Sequence, residues 1–276
     1  MALWLAALLF LLNGCALTFG YRHADWMIRW QLDHYLDLTS GQRRDVTARL
    51  KPLLSRHRKE ALPQYEQFLK NLQERVSRGL TQEDLEWMYR SYDRFRADLF
   101  ERLVPDSSAL LMSVSEKQVR YLEKVFHKEE SKAASKLQEP ISTRLEERTK
   151  KILARAEDWL GPLSSEQVAR IRPLALSIPD TQPVWRDYRR QRQEELLMLL
   201  REPLPADVMS LNLRQMFVDS DQTAPAKYRE MEREWRLSVE TLVLETDRIL
   251  TVQQRRRAMT SLQTVIDDLR ALIHGS

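Results

Sequence analysis

Five times along the chain an apolar residue is followed by Ser or Thr, two variable residues, and then Gln or Asp. The copies are Leu38-Thr39-Ser40-Gly41-Gln42, Leu80-Thr81-Gln82-Glu83-Asp84, Val114-Ser115-Glu116-Lys117-Gln118, Leu163-Ser164-Ser165-Glu166-Gln167 and Leu250-Thr251-Val252-Gln253-Gln254. This is the pattern of a helix capping box. The hydroxyl accepts from an orphan backbone N–H one turn in, and the third residue's side chain reaches back to the cap N–H. Each such cap contributes roughly 0.5–2 kcal/mol. Three copies carry an apolar pair placed as a hydrophobic staple: Leu80 with Leu85, Val114 with Val119, and Leu163 with Val168.

The steps from cap to cap are 42, 34, 49 and 87 residues, and a weaker start at Leu204-Pro205-Ala206-Asp207 divides the last. A spacing of roughly 40 residues is what stacked helical hairpins give. The segments between caps show no matching positions, so a regular repeat array is not expected. The expected fold is all-α, with antiparallel helical hairpins in a bundle-like or irregular solenoid arrangement.

Hydrophobic periodicity agrees. Leu85, Met88, Tyr92, Phe95, Leu99 and Leu103 step by three and four, as do Val119, Leu122, Phe126, Ala133 and Leu137 with one turn skipped. Tyr228, Met231, Trp235, Val239, Leu242 and Ile249 form a third stripe, and Met259, Leu262, Ile266, Leu269 and Ile273 a fourth. Each predicts an amphipathic helix with one buried face. Six glycines in 276 residues is about 2%, against a usual share of roughly 7%. Folds built on glycine turns, phosphate loops or tight hairpins are poorly supplied. A single Cys excludes an internal disulfide scaffold, and the 43% hydrophobic share can build a core.

Three of the eleven prolines fall together, at Pro173, Pro179 and Pro183. A proline pushes the residue before it off the helical region, so 173–183 is the expected junction between two helical halves, 24–172 and 184–276. Leu174, Leu176 and Ile178 within it argue for a packed junction.

The amino terminus sets the expected location. Residues 1–14 carry no charge, and the apolar run from Ala2 to Leu12 spans only about 17 Å as a helix at 1.5 Å per residue. That is too short for a bilayer core of roughly 30 Å and suits the apolar part of a secretion signal. No Lys or Arg precedes it, although such signals normally begin with positive charge. Leu12-Asn13-Gly14-Cys15 resembles the bacterial lipobox, in which a small residue precedes the Cys whose thiol carries the diacylglycerol. By that resemblance 1–14 is a signal peptide, Cys15 the lipid-attachment residue and 15–23 a lipidated tether. Several acyl chains make such an anchor effectively permanent. Ala16, where inner-membrane lipoproteins of enterobacteria carry Asp, implies the outer membrane, facing the periplasm.

The next stretch is Tyr21-Arg-His-Ala-Asp25-Trp26-Met-Ile-Arg29-Trp30-Gln-Leu-Asp33-His34-Tyr35-Leu-Asp37-Leu38-Thr39. With the lipobox, Asp25-Trp26, Arg29-Trp30, Asp33, Tyr35 and Asp37 running into Leu38-Thr39-x-x-Gln42 resemble a family of Gram-negative proteobacterial lipoproteins that carries no assigned activity. The five capped starts also resemble the repeated Leu-Thr-x-x-Gln motif of the periplasmic chaperones Spy and CpxP. Trp26 and Trp30, four apart, share one helix face. They are expected either in a core stripe, with Arg29 and Asp33 as a local ion pair, or as a binding surface against lipid headgroups, where Trp is favoured.

The sequence carries no recognisable catalytic or metal-binding constellation. His23, His34, His57, His127 and His274 show no His-x-x-x-His spacing and no Cys partner, so no metal site is expected. There is no Gly-x-Ser-x-Gly elbow and no Gly-rich phosphate loop, so neither catalytic residues nor a cofactor are expected. Asp25, Asp33 and Asp37 read as surface ion-pair partners of Arg22 and Arg29. Net charge is +4, with basic clusters at Arg43-Arg44, Arg186 to Arg192 and Arg255-Arg256-Arg257. No nucleic-acid motif accompanies them. The expected partners are the lipid bilayer through acylated Cys15, another envelope protein, or unfolded clients, and not nucleic acid. The expected role is binding, as an envelope scaffold or adaptor. The alternatives are a Spy/CpxP-like holdase and an enzyme whose site is assembled by the fold.

Overall fold

The computed structural model describes residues 14–275, with residues 14–17 and Asp221 described by their backbone alone. The expected signal segment lies outside the described residues except for Gly14, and so does the side chain of Cys15. The described residues form helices joined by short turns and no strand. They are α1 (Gly14–Arg22), α2 (Ala24–Leu36), α3 (Ser40–Glu60), α4 (Leu62–Arg78), α5 (Gln82–Met112), α6 (Glu116–Lys136) and α7 (Ile141–Leu160). Then follow α8 (Ser165–Ser177), α9 (Gln182–Arg201), α10 (Ala206–Phe217), α11 (Ser220–Thr223), α12 (Ala226–Arg248) and α13 (Val252–His274). The protein is all-α.

All five capping boxes form, at the starts of α3, α5, α6, α8 and α13. In each the hydroxyl accepts from the amide three residues on at 3.1–3.3 Å, and that residue's side chain accepts from the cap amide at 2.9–3.0 Å. The weaker start at 204–207 opens α10 at Ala206, but Pro205 at the cap supplies no side-chain bond. The turns before three of the boxes use positive φ, at Asp37 (45°), Gly79 (92°) and Gly161 (84°), which reverse the chain where each preceding helix ends. Side-chain caps start these five helices, while α4, α7, α9, α10 and α12 start at or beside a proline and without a side-chain cap.

The boxes also clasp one another. Gln42 and Gln118 hydrogen-bond each other, and each donates to a carbonyl just ahead of the other's cap: Gln42 to Ser113 O at 2.9 Å, Gln118 to Leu36 O at 2.9 Å. Gln167 and Gln254 repeat the arrangement. Hairpin α2–α3 is thereby pinned to α5–α6, and α7–α8 to α12–α13. The fifth box has Asp84 in place of Gln and is enclosed by Arg75 and Arg78, the latter at 2.7 Å.

Apolar burial is divided among four clusters. Leu36, Leu38, Val46, Leu50, Val119, Leu122 and Leu197 join α2, α3, α6 and α9. Leu62, Leu69 and Leu72 of α4 meet Leu262, Val265, Ile266, Leu269 and Leu272 of α13. Ile171, Ala175 and Ile178 meet Trp235 and Leu242 between α8 and α12, and Val104 meets Met209 and Leu213 between α5 and α10.

Packing runs across the junction expected at 173–183. The most extensive helix pairing is α4 on α13, and α9 lies on α6, so the segments 24–172 and 184–276 interdigitate. Pro173 sits inside α8, and the helix ends at Ser177. The break falls where Pro179 excludes Ile178 from helical ψ (φ −60°, ψ 127°). Residues 15–22, within the segment read as a tether, continue α1, which packs on α13.

Candidate functional site

Helices α1 and α2 follow each other with a single-residue turn at His23. At 100° per residue two faces compete for burial on α2. One carries Ile28, Leu32, Tyr35 and Leu36, and packs into the cluster shared with α3 and α6. The Tyr35 hydroxyl adds a 2.8 Å bond to Glu129 of α6, and burial followed by that carboxylate pushes its pKa up to about 12.

The other face carries Phe19, His23, Trp26, Met27, Trp30 and His34, and it is left open. Phe19 is 65% exposed, Trp26 59% and Trp30 58%. The rings run along the helices as a ladder: Phe19 and His23 have centroids 4.4 Å apart, Trp26 and Trp30 6.4 Å, and Trp30 and His34 6.0 Å, the last two pairs nearly parallel. The core-stripe expectation for the two tryptophans is therefore corrected. α2 has one neighbouring pair of helices, and its aliphatic face meets them.

The expected Arg29–Asp33 ion pair does not form. Arg29 takes Asp25 at 3.1 Å and reaches Thr47 of α3 at 3.4 Å. Asp33 takes Arg43 at 2.8 Å across the turn, because it also accepts from the Leu38 amide and is held facing α3.

Beneath α1 lies a cluster that sequence spacing does not announce. The hydroxyl of Tyr21 lies 3.1 Å from Nδ1 of His57, that of Tyr65 lies 3.4 Å from Nε2, and Tyr21 donates to the Leu54 carbonyl at 3.3 Å. With its proton on Leu54, Tyr21 accepts from Nδ1–H, and Nε2 accepts from Tyr65. Burial, then the Arg102 charge, hold the imidazole below its ordinary range, with Asp98 opposing. Burial also raises both phenols. Three residues on three helices meet here, so only the assembled fold reveals the cluster.

Other buried charges stand at helix ends. Asp247 takes Arg255 at 2.7 Å and the Leu80 amide at 2.9 Å. Arg148 donates to the carbonyls of Ala175, Ile178 and Pro179 at the end of α8, and Arg144 pairs with Asp180. Among the described residues no group of three or more His, Cys, Asp or Glu is placed to hold a metal ion, and no helix is long and apolar enough to cross a membrane.

Residues 34–229, more than two-thirds of the chain, match a family of unknown function, DUF6279, and the chain belongs to that family. The matched segment begins at His34, so Cys15, Trp26 and Trp30 precede it. No curated protein and no solved structure matches the chain.

Proposed function

We propose that the protein acts by binding, as a scaffold or adaptor of the bacterial envelope, anchored by an acylated Cys15 in the outer membrane and facing the periplasm. The observation that carries this reading is the way α1 joins the body. Described from Gly14 onward, it packs on α13 and is held at Tyr21 by His57 and the Leu54 carbonyl. A lipid carried at Cys15 thus gives the helical body a set attitude, where a flexible stalk would let it swing. The buried charges at Asp84, Asp247, Arg144 and Arg148 support binding over catalysis, since each is committed to a helix end or an ion pair.

The anchor is tested by following labelled fatty acid into the wild type and Cys15→Ser; label in the wild type alone is expected, and equal labelling removes the anchor. Cross-linkers placed at exposed Met198 and Leu237 in intact envelopes should trap one recurring partner. A diffuse set of many proteins removes the scaffold reading. A second reading, a holdase like Spy or CpxP, is favoured by exposed Phe19, Trp26, Met27 and Trp30. It requires that the full chain suppress light scattering by a denatured client at stoichiometric ratio.

A further inference from the structure

We propose that the open face of α1 and α2, formed by Phe19, His23, Trp26, Met27, Trp30 and His34, is a docking surface that lies in the headgroup layer of an anionic phospholipid bilayer. The inference deepens the lipid-anchored reading and rests on it.

Position is the first argument. The face begins one turn after Cys15 and runs from Phe19 to His34, about 22 Å at 1.5 Å per residue. A bilayer holding an acyl group at Cys15 therefore lies within reach of every residue on the face. Tyr21, tied to His57, points inward and keeps α1 on the body while the opposite rings face out.

Composition is the second. Two tryptophans, a phenylalanine and a methionine are left open although the aliphatic face of the same helix is buried. Indole is both apolar and a hydrogen-bond donor, and its preferred place in a membrane is the interface. A helix that lies in that interface carries aromatic residues on one face and basic residues beside them. Arg22 and Arg29 stand on the same two helices, with Arg29 paired to Asp25.

Charge is the third. Residues 14–60, covering α1 to α3, hold nine Lys and Arg against five Asp and Glu, and the remaining residues hold 35 of each sign. Within that span α3 alone holds seven Lys and Arg against two Asp and Glu, whereas α1 and α2 hold two of each sign, so the surplus sits on the helix that flanks the aromatic face. Attraction to an anionic leaflet fades within a Debye length of roughly 10 Å at 0.1 M salt, so a surplus gathered beside the anchor acts where a dispersed one would not.

The test uses the full-length protein purified from membranes and reconstituted into vesicles of phosphatidylethanolamine and phosphatidylglycerol, with and without brominated acyl chains. Emission is compared between the wild type and Trp26→Phe/Trp30→Phe, which removes two indoles from an exposed face and leaves buried Trp235 and half-buried Trp87, Trp159 and Trp185. Flotation of the vesicles reports the anchor separately. The proposal expects the difference emission to be blue-shifted, to lose most of its intensity to brominated lipid, and to be shielded from aqueous iodide. Protein that floats but whose difference emission is open to iodide and untouched by bromine overturns the docking surface and leaves the anchor standing. Protein that fails to float overturns both. A difference emission that answers to added denatured client and not to lipid also overturns the proposal, in favour of client holding.

Discussion

Gln167 and Gln254, 87 residues apart, exchange amide hydrogen bonds: each Nε2 donates to the other's Oε1, at 2.8 and 2.9 Å, and both side chains are buried. The second N–H of each goes to a backbone carbonyl, Ile249 at 2.8 Å and Pro162 at 3.0 Å, and each Oε1 also accepts from its own cap amide at 3.0 Å. Every donor of the pair is satisfied, which is the condition for burying an amide without penalty.

Removing one member leaves the other's polar atoms buried and unmet. Gln254→Ala should therefore cost about 1–3 kcal/mol, and Gln118→Ala, also buried, should cost a similar amount. Gln42→Ala should cost less, because Gln42 is only half buried and water can replace it. Thermal melts of the three variants check the order, and equal losses would mean that the clasps add nothing beyond the caps.

Local chemistry made much of this legible. A capping box is a bond between residues three apart, so the sequence contains both partners, and all five form. It does not contain the second use of the same glutamines, because a box alone says nothing about which other box will face it. Face selection on α2 was hidden for a related reason: Trp26 with Trp30 and Ile28 with Leu32 make equally regular stripes, and the choice is made by α3 and α6. Arg29 had acids four residues away on either side, and the turn at Leu38, by fixing Asp33 toward Arg43, decided between them. The cluster of Tyr21, His57 and Tyr65 exists only once α1, α3 and α4 are assembled.

Asp84 is almost fully buried in the one box that uses a carboxylate. Burial by itself would raise its pKa, but hydrogen bonds from Arg75, from the Thr81 amide and hydroxyl, and from Arg78 outweigh it and bring the value to about 2 from an ordinary 3.8. A depressed folded pKa means stability that is complete above the unfolded value and lost as pH falls from about 4 through 2. The linked amount is about 2 kcal/mol. Urea midpoints at pH 7 and pH 3 should therefore fall further for the wild type than for Asp84→Asn, which should start lower at pH 7 because Arg75 and Arg78 lose their anion.

His57 predicts a second acid dependence at higher pH. Its folded pKa lies below the ordinary 6.5, through burial and then Arg102, so the unfolded chain takes up its proton first. Stability from this group is complete above pH 6.5 and declines as pH falls from there toward the folded value. Comparing urea midpoints at pH 7.5 and 5.5, the wild type should lose more than His57→Gln. An imidazole signal titrating at or above 6.5 in the wild type would remove the prediction.

Trp26 and Trp30 should be nearly silent in stability, and this separates their surface position from a core one. Exposed substitutions away from special features cost within about 0.5 kcal/mol, whereas truncating a buried Trp to Ala costs about 3–5 kcal/mol. Trp235, only 8% exposed between α8 and α12, supplies the internal comparison. Trp26→Ala/Trp30→Ala in detergent solution, away from any bilayer, should melt within a degree or two of the wild type, and Trp235→Ala should melt far lower. A large loss in the double variant would mean that the two indoles are packed against the body after all, and the aromatic face would then have no free surface to offer a membrane.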